Sequence, residues 1–335
     1  MQGERGMERD DSREVPSFEV IVPAYRAEET IGACLAALFA SGFSASEITV
    51  VDDGSPDRTG ELARGAGVRV VANETPTRPA RARNRAAEHA TADVLVFVDA
   101  DVVVHGGLRE RLETHFSDES LVAVIGSYDD APAAPSVISR YRNLLHHITH
   151  QDSAGRIATF WSGLGAVRRS GFDAVGGFDP RWEDIEDVEF GLRLSAEGAR
   201  ILLDPRMLST HLKDWTLVGM FRTDLFGRAV PWTRLLRSGR MPFGTLNTSP
   251  ANAVSAAAVG ATASALVAAT VWTPALWVAL FAAVVFFAAN LRLLTRLARV
   301  GGIGFAIRAL PYHVIHNAAA LLGFAKVRFF ERGLP

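Results

Sequence analysis

The stretch Val94-Leu95-Val96-Phe97-Val98-Asp99-Ala100-Asp101 decides how this chain is read. Five consecutive apolar residues, rich in Val and bounded by acids, have the length and composition of a strand buried on both faces. A strand that ends in two acids one residue apart can present both carboxylates at the edge of a sheet. Oxygen ligands of that kind suit Mg²⁺ or Mn²⁺, and such a cation suits a diphosphate. Strand-end acids also act as caps and turn formers, so the neighbouring sequence has to decide.

Upstream, residues 18–22 read as a first strand closed by Pro23, and residues 28–38 carry helical apolar spacing. A second strand over 48–51 runs into Asp52-Asp53-Gly54-Ser55. A helix over 59–65, a short strand over 68–71 and a helix ending near Ala90 follow, and then the Asp99 strand. Strands alternating with helices imply a parallel sheet covered by helices on both faces. In such sheets a ligand lies beyond the carboxyl ends of the strands. Pro23, Asp52-Asp53 and Asp99/Asp101 all fall there, which describes a nucleotide cleft.

At these residues the chain resembles the inverting family 2 glycosyltransferases, which have the A-type nucleotide-sugar fold. The matching stretches are Val22-Pro23-Ala24-Tyr25, Val51-Asp52-Asp53-Gly54-Ser55, Ala82-Arg83-Asn84 and Phe97-Val98-Asp99-Ala100-Asp101. Gly176-Gly177-Phe178-Asp179 and then Glu186-Asp187 follow in the family's order. Where the family has Asn-Glu after the Tyr, this chain has Arg26-Ala27 before Glu28-Glu29. The resemblance implies a first donor loop built from Pro23, Tyr25 and Glu28. It makes Asp52 or Asp53 the acid that accepts the uracil N–H and lets Arg83 approach the diphosphate. Asp101 becomes the direct ligand of Mg²⁺ or Mn²⁺, Asp99 touches the ribose or the metal, and His211 is a further ligand.

Attack of a hydroxyl on an anomeric carbon is faster when a carboxylate takes the proton. The run Glu183-Asp184-Ile185-Glu186-Asp187-Val188-Glu189 holds five acids in seven residues, just before an amphipathic stretch. Acids at a helix start are favoured by the helix dipole in any case, and such a start also holds a carboxylate in place. The family's Glu-Asp pair makes Asp187 the base and Glu186 its neighbour. Trp161 and Gly163, in Phe160-Trp161-Ser162-Gly163, put an aromatic face and a permissive backbone beside the expected sugar. Asp179 is expected either to bind sugar hydroxyls or to fix the turn before Pro180. His146, His147 and His150 have metal-like spacing, but without accompanying cysteines or acids they read as a polar helix near the acceptor path.

The chain has 335 residues, one cysteine (Cys34) and a net charge of −2, so an intramolecular disulfide is excluded and nothing favours nucleic acid. Residues 1–17 are charged, without an apolar core, and are expected to be a disordered tail. After about residue 250 the character changes. Residues 252–271 and 274–291 are uncharged runs of about twenty residues, or about 30 Å as helices, which matches a bilayer core. Arg234, Arg237 and Arg240 precede the pair, and Arg292, Arg296 and Arg299 follow it. That pattern puts the tip outside and the catalytic domain in the cytoplasm.

The expected protein is a Rossmann-like A-type glycosyltransferase domain with a mainly parallel sheet, followed by a helical membrane region. Its parts are a catalytic domain over 18–215, amphipathic interfacial helices over 216–248 and a transmembrane hairpin over 252–291. Residues 303–330 form a re-entrant, interfacial or third membrane helix. The expected reaction moves a hexose from a nucleotide sugar, a UDP-sugar, to a hydroxyl of a lipid-linked or glycan acceptor at a membrane. A polyprenyl-phosphate glycosyltransferase is the alternative enzyme, and a catalytically silent nucleotide-sugar-binding scaffold is the alternative of another class.

Overall fold

The computed structural model describes residues 15–241 and 248–331. The expected tail and interfacial segment extend outside these, over 1–14 and 242–247. The chain opens with β1 (Phe18–Ala24), α1 (Ile31–Ala40), β2 (Ile48–Asp52), α2 (Thr59–Gly65) and β3 (Arg69–Ala72). Next come α3 (Pro79–His89), β4 (Val94–Val98), β5 (Val102–Val104), α4 (Leu108–Phe116), β6 (Leu121–Tyr128) and α5 (Val137–Asp152). The domain continues through β7 (Gly155–Ile157), β8 (Leu164–Arg168), α6 (Arg169–Ala174), α7 (Glu186–Ala196) and β9 (Arg200–His211).

These strands form one nine-stranded sheet among the described residues, in the order β3-β2-β1-β4-β8-β6-β9-β5, with β7 on β9. The first half is parallel, with β1 between β2 and β4. The second half is mixed: β8 runs antiparallel between β4 and β6, while β6 and β9 are parallel. Period-2 alternation serves both faces, as expected of a doubly covered sheet. Val20, Val22, Val96 and Val98 pack under α1 on one face. Ile21, Leu95 and Phe97 pack with Ala82, Ala86 and Phe178 on the other.

The first helix starts at Ile31 rather than at residue 28, because Glu28 is held in a turn against the loop after β2. Its amide donates to Asp57 (3.4 Å), and its carboxylate accepts from the Arg58 amide (3.2 Å). Gly54 allows the β2 loop to turn: its φ is +72°, and a Cβ there would lie 2.9 Å from the Thr75 backbone.

After β9 come α8 (Leu217–Arg222), a π-helical turn over Thr223–Ala229, and α9 (Val230–Arg237). Helices α10 (Pro250–Ala268) and α11 (Ala275–Gly301) make a hairpin, and α12 (Ile303–Ala325) lies against both. Two of these, α10 and α11, are long and apolar enough to cross a membrane. Their large apolar side chains face outward, Val267 being 71%, Trp277 74% and Phe281 71% exposed. Continuous apolar surface of this kind marks a protein-binding or membrane-interaction face. Leu297 of α11 and Phe305, Ala306 and Ala309 of α12 pack on Ile138, Tyr141 and Leu144 of α5, docking the helices on the sheet domain.

Candidate active site

The carboxyl ends of β1, β2 and β4 and the start of α7 converge on one cleft. At its centre is Arg83 of α3, only 3% exposed. A buried guanidinium needs counter-charges, and Arg83 has two. Its Nη2 donates to Asp99 Oδ1 (2.7 Å) and its Nη1 to Glu186 Oε1 (2.7 Å). Arg83, expected to reach a diphosphate, is thus taken up between two acids, and its Nε has no acceptor among the described residues. Burial pushes the Asp99 carboxyl up, with Arg83 opposing and Asp101 adding to the shift. Burial likewise raises Glu186 to about 7, against the pull of Arg83.

Asp187, next to Glu186, faces the cleft and is half-buried. Its Oδ2 accepts from the Ser162 amide (3.0 Å) and hydroxyl (3.2 Å). Its Oδ1 accepts from the Val188 amide (2.7 Å), so Glu186 is paired with a cation while Asp187 takes only neutral donors. Gly163 follows Ser162, and a Cβ there would sit 2.6 Å from the Trp161 indole. Glycine therefore keeps that ring folded over the start of β8. Trp161 meets Tyr128 edge-on (4.8 Å) and His146 (4.5 Å).

The expected metal ligands Asp99, Asp101 and His211 do not converge. Asp99 turns to Arg83, whereas His211 Nε2 lies 3.3 Å from Asp101 Oδ2. The antiparallel β5–β9 pairing brings them together by setting Val102 opposite His211. Burial works to raise Asp101, but the His211 contact and the Lys213 charge outweigh it and hold the carboxyl below its usual range. Among the described residues no three His, Cys, Asp or Glu side chains cluster as a ready ion site. By donor chemistry, two carboxylates and an imidazole still fit Mn²⁺ or Mg²⁺.

At the end of β2, Asp53 accepts from the Thr77 and Arg78 amides (2.8 Å each), Asn73 Nδ2 (2.6 Å) and Thr77 Oγ1 (2.7 Å). Burial works to raise its pKa, but these bonds hold it low. Asp53 therefore organises the loop before α3, and Asp52 accepts from the Ser55 amide (3.0 Å). Pro23 does not close β1 as expected but lies within it, opposite Val51, and the strand runs on to Ala24; Tyr25 stands exposed beyond it with Arg26 over its ring at 5.5 Å. Asp179 lies apart from the central acids, paired with Arg181 (2.7 Å) in the turn after Phe178.

The three histidines of α5 face inward. His147 Nδ1 donates to the Tyr128 carbonyl (2.7 Å) and His150 Nδ1 to that of Gly126 (2.9 Å). Burial lowers His150 to about 4 and pushes His146 down as well. His146 and His150 therefore serve as neutral packing beneath the cleft.

Sequence reasoning missed Ser162, which holds Asp187, and Tyr128, which stacks on His211 at 4.5 Å. Ser162 stood inside a quoted stretch. Tyr128 reaches the site only through the β6–β9 pairing and left no local signal.

Residues 19–176 match the family model for glycosyl transferase family 2. The glycosyltransferase AglE of Haloferax volcanii is 32% identical over 210 residues, 59% of this chain and 67% of AglE. EpsJ of Bacillus subtilis, also a glycosyltransferase, is 32% identical over 204 residues, and the chain spans 58% of its length. Across 95% of this chain and 88% of the other, the fold follows the mannosyltransferase PcManGT of Pyrobaculum calidifontis, with a TM-score of 0.61 at 20% identity. That structure contains GDP-mannose and Mn²⁺. The fold is that of the A-type glycosyltransferases. The chain belongs to glycosyltransferase family 2.

Proposed function

We propose that this glycosyltransferase is membrane-attached and inverting, and moves a sugar from a UDP-sugar to a hydroxyl of a lipid-linked or otherwise membrane-presented acceptor. The observation that carries this reading is Asp187, held by Ser162 and facing the cleft while Glu186 is bound to Arg83. Asp187 takes the acceptor hydroxyl proton as that oxygen bonds to the anomeric carbon. The bond from the anomeric carbon to the diphosphate breaks on the opposite face, and the nucleoside diphosphate leaves.

Asp101 and His211, with Asp99, would hold a divalent cation, which neutralises the diphosphate and stabilises its departure. Arg83 fixes Asp99 and Glu186 and adds its positive charge beside the donor diphosphate. Tyr25 and Asp52 border the base and ribose side, while Trp161 and Asp179 border the sugar and acceptor. The donor contacts of Pro23, Glu28 and Asp53 are those of the loops they order.

The catalytic part covers 18–215. Residues 216–248 lie at the interface, 252–291 form a hairpin with both ends cytoplasmic, and 303–330 form a re-entrant, interfacial or third membrane helix. The arginines on each side of the hairpin support that orientation.

Membranes carrying the full-length chain, supplied with labelled UDP- and GDP-sugars, should transfer label from a UDP-sugar to solvent-extractable lipid. Chelation should stop the transfer, and Mn²⁺ or Mg²⁺ should restore it. Label that stays in water across the panel, or transfer unaffected by thorough chelation, would contradict the reading.

A further inference from the structure

The histidines of α5 and the aromatic stack beside the cleft meet at one ring, that of Tyr128. Its plane lies within 7° of the His211 imidazole, with ring centroids 4.5 Å apart. His146 packs on it at 4.4 Å, and Trp161 meets it edge-on at 4.8 Å. The sheet brings Tyr128 and His211 together. Tyr128 pairs with Ser209 in the parallel β6–β9 register, and residues two apart on a strand share a face. His211 is therefore the next residue of β9 on the Tyr128 face.

Two further features hold Tyr128 in place. The β6–β9 register jumps from Ile125 opposite Leu203 to Ser127 opposite Leu208, an irregularity of the kind that re-aims a side chain beside an active site. Gly126 lies at that jump, where a Cβ would overlap the Met207 carbonyl oxygen. Helix α5 then grips the strand end on both sides of Ser127, because His150 Nδ1 donates to the Gly126 carbonyl and His147 Nδ1 to that of Tyr128. The spacing of His146, His147 and His150 thus serves to hold one aromatic side chain.

An imidazole that binds a metal ordinarily donates its other N–H to a carbonyl or carboxylate, which fixes the ring. His211 turns Nε2 toward Asp101, at 3.3 Å, and its Nδ1 has no partner among the described residues. The parallel stack on Tyr128 is the contact that sets its plane.

We propose that Tyr128 is a positioning residue for the donor's cation: its ring holds the His211 imidazole where Nε2 and the Asp101 carboxylate can ligate one Mn²⁺ or Mg²⁺ together. This rests on the cation reading under the proposed function and adds the group that orients its nitrogen ligand. Tyr128 acts through His211 and ligates nothing itself.

Full-length protein in detergent is saturated with UDP and titrated with Mn²⁺, bound and free metal being read by electron paramagnetic resonance. The variants are Tyr128→Leu, Tyr128→Phe and His211→Ala, and calorimetry of UDP in excess EDTA checks the rest of the donor site. Tyr128→Leu should weaken Mn²⁺ binding about tenfold to a hundredfold, as expected when a group that orients a ligand is lost. Tyr128→Phe keeps the ring and should bind Mn²⁺ like the wild type. UDP in EDTA should bind every variant alike. Mn²⁺ affinity that is unchanged by Tyr128→Leu but lost in His211→Ala overturns the positioning role and leaves the cation reading standing. Mn²⁺ affinity unchanged in His211→Ala overturns both. Equal losses from Tyr128→Phe and Tyr128→Leu, or a matching loss of UDP binding in EDTA, mean that the ring does not act by orienting His211, and overturn the proposal as well. Should Tyr128→Leu not fold, Tyr128→Met removes the ring with a more adaptable side chain and is read against the same outcomes.

Discussion

Polar groups are buried both at the edge of the catalytic sheet and between the C-terminal helices, but with different chemistry. In the sheet domain they carry full charge: Arg83 lies between Asp99 and Glu186. Among α10, α11 and α12 they are amide, hydroxyl and imidazole groups, the buried ion pair Arg142–Asp224 lying outside the hairpin, between α5 and the π-helical turn. Tyr141 Oη bonds His313 Nδ1 (2.9 Å), His313 Nε2 bonds Asn290 Oδ1 (2.7 Å), and Asn290 Nδ2 donates to Ser255 (2.7 Å). That chain joins α5, α12, α11 and α10 in turn. The full charges at the cleft neutralise one another around Arg83 and fix the start of α7 that carries Asp187. Uncharged partners between helices specify how the hairpin docks, without the desolvation cost of ions.

The contrast predicts unequal responses to the loss of one partner. Arg83→Met leaves Asp99 and Glu186 buried without their cation and should cost about 3–5 kcal/mol, read as a large drop in the unfolding midpoint. A loss under about 1 kcal/mol would mean that the acids are solvated and the cluster is not a buried charge network. A smaller effect is expected in the helices. His313→Leu leaves the Tyr141 hydroxyl and the Asn290 amide unpaired, at about 1–3 kcal/mol for each group left unsatisfied. Adding Asn290→Leu should return part of that stability, since an apolar pair can replace a matched polar one. If the double variant is no more stable than His313→Leu, the helix network is not the neutral counterpart described here.

The parallel half of the sheet was legible because each apolar run there ends in a residue that stops it. Residues 48–51 and 94–98 run into acids, and α2 came out at 59–65 as read. The mixed half was not. Strand β9 spans twelve residues through Asp204 and Pro205, and β5 has only three, so neither shows a clean period. The site acids were legible as residues but not as contacts. Arg83 and Glu186 are 103 positions apart, and nothing local tells an exposed Arg on α3 from a buried one. The π-helical turn after α8 read as part of an amphipathic interfacial stretch, because Phe221, Leu225 and Phe226 set the visible pattern.

The central claim is that Asp187 is the proton acceptor and the charged cluster beside it is scaffold. It is tested most directly by turnover of Asp187→Asn with the membrane acceptor, alongside calorimetry of UDP with Mn²⁺. The amide keeps the size of the side chain and can still accept from Ser162, but it cannot take a proton. Transfer should fall about 10²- to 10⁴-fold, with UDP affinity close to wild type. An Asp187→Asn enzyme that turns over near the wild-type rate would contradict the account and favour an acceptor that is already anionic and needs no base.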